Sequence, residues 1–200
     1  MSDLTSNEQE FYNDTFNEQS CNHISFIDKT FDSCEFIACD FSNGLFRNCE
    51  FIDCSFDKCN LNSVVVNNSK FSDVIFNECK LLGVDWTKAY WRDLALGSAL
   101  KFNQCMINSS SFYDLNQTEI EIKSCRAHDV DFREADFSKA NFSDTDLNNS
   151  LFSNTNLTGA IFTDAINYDI NITRNKVEQA TFSRYEAVKL LDSLGINLVD

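Results

Sequence analysis

The stretch Phe31-Asp32-Ser33-Cys34-Glu35-Phe36-Ile37-Ala38-Cys39-Asp40-Phe41 sets an aromatic ring at every fifth residue, with a small side chain usually two residues before it. Working outward, the spacing persists through Phe11, Phe16, Phe26, Phe46, Phe51, Phe56, Phe71 and Phe76. It resumes one position late at Phe102 and runs on through Phe112, Phe132, Phe137, Phe142, Phe152 and Phe162 to Phe182. All 19 phenylalanines obey this lattice. Leu61, Val66, Leu81, Trp86 and Trp91 fill gaps before the slip, and Ile107, Ile122, Leu147 and Leu157 after it. A short fixed period marks a repeat architecture.

Two inward residues separated by one outward residue are strand-like alternation. The two polar residues that follow let the backbone turn before the next inward pair. An α-helix is a poor alternative, because a period of five drifts around a 3.6-residue turn and leaves no stable apolar face. The slip falls in Leu96-Gly97-Ser98-Ala99-Leu100-Lys101, where Gly97 favours a bulge or small corner insertion. A second irregular point is Gln117, a polar residue on the lattice. Both are read as corner irregularities or as a displayed contact loop.

The 200 residues suit one domain, with no proline and 5 glycines to form a linker. No apolar run is long enough for a membrane span. The start, Met1-Ser2-Asp3-Leu4-Thr5, lacks the features of a secretory signal, so a cytoplasmic location is expected. Of the 9 cysteines, Cys34, Cys39, Cys49, Cys54, Cys59, Cys79, Cys105 and Cys125 hold the slot two before a lattice position. Val84, Ala135 and Ala160 fill the same slot elsewhere, so these thiols are expected to be free, small space-fillers rather than metal ligands. Cys21 is a small lattice residue, while Asp14 and Lys29 occupy slots normally small.

Segments such as Ala135-Asp136-Phe137-Ser138-Lys139, Ala140-Asn141-Phe142-Ser143-Asp144 and Thr155-Asn156-Leu157-Thr158-Gly159 resemble the A(D/N)LXX motif of pentapeptide repeat proteins. The resemblance covers residues 11–182. It implies an all-β fold, a right-handed quadrilateral β-helix with four pentapeptides to a coil. In that arrangement Phe11, Phe31, Phe51, Phe71, Trp91, Phe112, Phe132 and Phe152 are expected to form one aromatic column. The rod would stand about 40 Å tall. Residues 1–10 are expected to be an N-terminal cap segment, with the register slip at 97–101 and a capping and dimerisation tail at 183–200. In that tail Ser183-Arg184-Tyr185-Glu186 reads as a capping box, followed by an amphipathic α-helix that Gly195 stops. Leu190, Leu191, Leu194, Ile196, Leu198 and Val199 form the candidate dimer surface.

Catalysis is not expected. His23 and His128 are far apart, His128 reads as a solvated outward residue, and no phosphate loop, nucleophile elbow or H-E-x-x-H motif occurs. No cofactor is expected either. Charge is the informative feature: 16 basic against 31 acidic side chains give a net of −15. The acidic excess is expected on the two adjoining faces centred on Phe31 and Phe36, carried by Glu35, Glu50, Asp53, Asp57, Asp73, Glu78, Asp93, Asp114, Glu119, Asp131, Glu134 and Asp136. Spread along the rod, −15 gives one net charge per roughly 2.7 Å, against about 1.7 Å for duplex DNA. Direct nucleic-acid binding is disfavoured, and competition for a DNA-binding protein surface is plausible.

The stretch 125–135, Cys125-Arg126-Ala127-His128-Asp129-Val130-Asp131-Phe132-Arg133-Glu134-Ala135, and the tail from Tyr185 to Ile196 are similar to the topoisomerase-interacting branch of the family, the quinolone-resistance proteins of the Qnr type and their immunity-protein relatives. That resemblance implies a tail-to-tail homodimer acting on DNA gyrase or topoisomerase IV as a DNA mimic. The quinolone-resistance members display longer loops than the one-residue slip read here. A generic protein-interaction scaffold is the alternative.

Overall fold

The computed structural model describes residues 3–91 and 100–196. The chain winds as a square β-solenoid of about eight turns. Every lattice phenylalanine from Phe11 to Phe162 is inward: Phe16, Phe36, Phe56, Phe76, Phe102, Phe142 and Phe162 are all fully buried. The next residue but one takes a left-handed conformation at almost every corner, from Asn13 (φ 53°) to Asn154 (φ 56°). Short polar side chains tolerate that conformation best, which explains the Asn, Asp and Ser abundance there. The cost is offset by pairing: each corner N–H donates to the coil above, as from Asn13 to the Asp32 carbonyl at 3.0 Å.

Coils stack in parallel register. Phe11 pairs with Phe31, Phe31 with Phe51 and Phe51 with Phe71 in a four-stranded sheet built from Glu10–Tyr12, Thr30–Asp32, Glu50–Ile52 and Lys70–Ser72. The adjoining face carries a six-stranded sheet from Thr15–Asn17 to Glu121–Lys123. The Phe41 face is joined by isolated bridges such as Asp40 to Asn60, and the Phe46 face begins with Ser25–Ile27 on Leu45–Arg47. Rings stack along each face and meet edge-on across corners, as Phe36 does with Phe56 and Phe41. Such pairs add stability beyond burial alone.

All nine cysteines are free and buried. They do more than fill space. Cys59 Sγ donates to the Phe36 carbonyl (3.2 Å) and accepts from the Cys39 N–H (3.3 Å), so it satisfies two backbone groups of the preceding coil. Thr145 and Ser150 do the same in their slots, which is why cysteine, serine and threonine interchange there.

The expected one-residue slip is part of a longer insertion. Asn103 stacks on Asn77 with a separation of 26 residues, against 20 for Asn48 on Asp28. The slip therefore arrives with a further pentapeptide, and the faces above it are displaced by one relative to the lattice count. Residues 97–99 of the expected slip lie outside the described residues. The expected aromatic column is corrected accordingly. Trp91 sits near Phe71, but Phe112 stacks on Trp86 (6.1 Å, 22°), placing Phe112, Phe132 and Phe152 on the Phe46 face. The Phe31 face continues instead through Gln117, Phe137 and Leu157. Gln117 is buried, only 2% exposed, and its Nε2 lacks a hydrogen-bond partner.

Leu4 is fully buried at the N-terminal end. Lys29, in a slot meant for a small residue, reaches beneath the first coil and donates to the carbonyls of Ser6 (3.0 Å) and Glu8. Its ammonium lies 5.2 Å from the Phe11 ring centroid. At the other end Glu186–Leu194 forms a 3-10 helix, not the expected α-helix, closed by Gly195 at φ 67°. The expected capping box is also absent: Ser183 Oγ accepts from the Asp164 N–H (2.8 Å), and Glu186 Oε2 accepts from Lys189 (2.7 Å). Both side chains bond to groups other than the first-turn amides, so the α-helical start has no partner for its orphan donors.

Candidate partner-binding surface

Residues on either side of each inward centre point outward and line up coil over coil. Glu50, Asp53, Asp73, Glu119 and Asp136 stand on the Phe31 face or the corner that follows it, and Glu35, Asp57 and Glu78 on the Phe36 face or its corner. Asp93 lies outside the described residues. Asp114, Asp131 and Glu134 do not share those two faces. The insertion carries them to the Phe46 face and to its corner with the Phe31 face, as the bridges from Asp85 to Ser111 and Ser111 to Asp131 show.

These carboxylates are not equivalent. Lys70 Nζ lies 2.7 Å from Glu50, Lys139 Nζ 2.9 Å from Glu119, and Arg133 grips Asp131 at 2.8 and 2.7 Å. Asp136 accepts from the Ser138 N–H and from Asn156. Burial opposes the charge on Asp136, but those hydrogen bonds outweigh it and hold the carboxyl below its ordinary pKa. Exposed pairs of this kind contribute about 0–1 kcal/mol each, so their main effect is to cancel field. Asp53 and Asp73 have no side-chain hydrogen bond or ion pair among the described residues. Asp57 accepts only from the neutral Asn77, at 2.8 Å. Asp53, Asp57 and Asp73 therefore stand without a basic partner on two adjoining faces in the coils before the insertion, as Asp114, Asp129 and Asp144 do elsewhere on the rod.

His128 is not simply solvated. Its Nε2 lies 2.7 Å from Asp146 Oδ2, and Asn167 donates to the same carboxylate at 2.9 Å. Burial works against the charge on Asp146, yet the bonds from Asn167 and His128 keep its pKa below the ordinary value. The partners sit on successive coils with a separation of 18 residues, a diagonal that the five-residue lattice alone does not display. Among the described residues no group of three His, Cys, Asp or Glu is placed to hold a metal ion. No described helix is long and apolar enough to cross a membrane.

In the tail, Leu190 packs against the core, and Leu191 is half-buried. Tyr185 is 91% exposed, and Val188, Leu194 and Ile196 are about half exposed. Leu194 and Ile196 of the expected dimer surface are thus presented outward, Leu190 faces its own rod, and Leu198 and Val199 lie outside the described residues. Tyr185 and Val188, in the run read as an amphipathic helix but not assigned to the dimer surface, are exposed as well.

The chain matches a family described as a pentapeptide repeat region over residues 29–99, and one of pentapeptide repeats in 8 copies over residues 125–166. No curated protein matches it. Among solved structures it is similar to a trypsin-treated form of QnrB1, a plasmid-mediated fluoroquinolone resistance protein, with TM-score 0.71, 19% identity, and coverage of 95% of this chain and 97% of that one. A second trypsin-treated QnrB1 variant gives TM-score 0.72 and 17% identity over 96% and 100% of the two chains.

Proposed function

Because the chain belongs to the pentapeptide repeat proteins, we propose that it is a DNA-mimicking rod that binds a bacterial type II topoisomerase, DNA gyrase or topoisomerase IV. In this reading it works in the cytoplasm, limits damage from quinolones or gyrase-poison toxins, and carries out no catalysis. The observation that supports it most is the band of uncompensated carboxylates, with Asp53 and Asp73 unpaired among the described residues and Asp57 bonded only to an amide. A net charge of −15 on a narrow rod suits the basic surface that grips a DNA segment. The likeness to a fluoroquinolone resistance protein supports the fold on which this reading rests. The exposed Val188, Leu194 and Ile196 supply an apolar surface for a tail-to-tail dimer, which doubles the length of the acidic rod.

The test is direct binding of purified protein to purified gyrase at low and high salt. Binding that weakens steeply with salt supports the reading, and salt-insensitive binding or none rejects it. A protein-interaction scaffold without a topoisomerase role is the second reading. It is favoured by the pairing of Glu50, Glu119 and Asp131 with their own basic neighbours, which thins the DNA-like field.

A further inference from the structure

The outward row that follows the Phe36 centres carries residues its backbone does not call for. Asp57, Asn77 and Asn103 stand in register on the adjoining strands Ser55–Asp57, Val74–Asn77 and Leu100–Asn103. Asparagine and aspartate are depleted in strands. At the corners they have a backbone reason to occur: Asp28, Asn48 and Asn68 also stack, but each adopts a left-handed φ of 54–55°. Asp57, Asn77 and Asn103 are extended, so the reason for them lies in their side chains. Asn77 Nδ2 donates to Asp57 Oδ1 at 2.8 Å, and Asn103 Nδ2 donates to Asn77 Oδ1 at 3.0 Å. This is a side-chain amide ladder of the kind that in-register parallel strands permit.

The ladder has a direction. Each amide donates to the coil below it, and the carboxylate of Asp57 ends the series. A bond to an ionised acceptor is stronger than one between neutral groups, and each bond polarises the next. On the other side of Asp57 its strand partner is Ile37, whose side chain has no donor. One oxygen of Asp57 is therefore held by the ladder, while Oδ2 has no hydrogen bond among the described residues. All three side chains are partly exposed, so that free oxygen stands at the surface of the face. Asp53 and Asp73 differ: they have no side-chain bond among the described residues to fix them. They supply field, and Asp57 supplies a fixed point.

We propose that Asn77 and Asn103 are positioning residues of the partner-binding face. They hold Asp57 in one orientation, so that its free oxygen meets a basic side chain on the DNA-binding surface of the partner. This role rests on the topoisomerase reading and adds to it a fixed contact that net charge does not supply. A side chain ordered before binding loses less freedom when the partner arrives, which raises affinity without a new charge. Asn77 is neutral, so field alone gives it no part in binding. Its substitution separates position from charge.

The test measures binding of the full chain to immobilised purified gyrase by surface plasmon resonance at two salt concentrations. Asn77→Leu keeps the charge and approximate size of the side chain and removes both ladder bonds. It weakens binding about fivefold, with the melting temperature and the salt dependence of the wild type. Asn77→Asp adds a negative charge and sets a second carboxylate against Asp57 in place of the donor. It binds more weakly than the wild type, although field alone would make it bind more tightly. Wild-type affinity in Asn77→Leu, or affinity at or above wild type in Asn77→Asp, overturns the proposal and leaves the topoisomerase reading standing. No binding by the wild type overturns both.

Discussion

The rings of Phe36 and Phe56 lie 4.4 Å apart between centroids and 11° from parallel, the closest stacking along any face of the rod. Phe36 also meets Phe31 and Phe41 edge-on around its own coil. Phe36→Ala removes all of these contacts at once from a site with no exposure. It is expected to cost about 3–5 kcal/mol, read as a lowered denaturant midpoint with the slope retained. An unchanged midpoint contradicts the inward assignment of the lattice.

Lys29 ties the first residues to the rod through the carbonyls of Ser6 and Glu8. Lys29→Met keeps the length of the side chain and loses both bonds. A loss of about 2–3 kcal/mol is expected, with faster amide exchange confined to residues 3–12. Uniform exchange along the rod, or none gained, goes against this capping role.

Acid sensitivity follows from three carboxylates. Arg133 lowers the pKa of Asp131 below its ordinary 3.8, and hydrogen bonds lower those of Asp136 and Asp146 despite burial. A carboxyl whose folded pKa is depressed stabilises the fold above its unfolded value and loses that contribution as pH falls through the folded one. The melting temperature is therefore expected to hold down to about pH 5 and to fall below about pH 4. Asp131→Asn and Asp146→Asn should each flatten that acid limb. A limb of the same steepness in both variants rules these groups out as its cause.

The tail surface is tested by mass. Leu194 is 50% exposed and contributes nothing to the core of its own rod, so, if the tail forms the proposed interface, the wild type is expected to be a dimer and Leu194→Asp a folded monomer. Light scattering after gel filtration decides this. An identical mass for the two proteins removes the tail from the interface.

Much of this molecule is written in its period. The five-residue lattice is enough to place Phe11 to Phe76 inward and to put a small slot before each centre, and the resemblance to pentapeptide repeat proteins supplies the coil of four. The lattice is blind to whole pentapeptides added to a coil, because adding one leaves the spacing unchanged. Phe112 therefore counts as a neighbour of Trp91 in the sequence and stacks on Trp86 in space. That single displacement moves Asp114, Asp131 and Glu134 off the expected acidic faces. The His128–Asp146 pair was hidden for a related reason: its partners lie diagonally across coils, where only the geometry of stacking joins them. The bonding role of the cysteines needed the positions of carbonyls, which composition does not supply.

The central claim is that uncompensated carboxylates on the Phe31 and Phe36 faces take the place of DNA on a type II topoisomerase. The most direct measurement is gyrase-mediated DNA cleavage in the presence of ciprofloxacin, titrated with wild-type protein and with a variant carrying Glu35→Gln, Asp53→Asn, Asp57→Asn and Asp73→Asn. The wild type is expected to reduce drug-stabilised cleavage at micromolar concentration, and the variant, melting at the same temperature, to need at least about tenfold more. No effect of the wild type, or equal potency of the neutralised variant, contradicts the account.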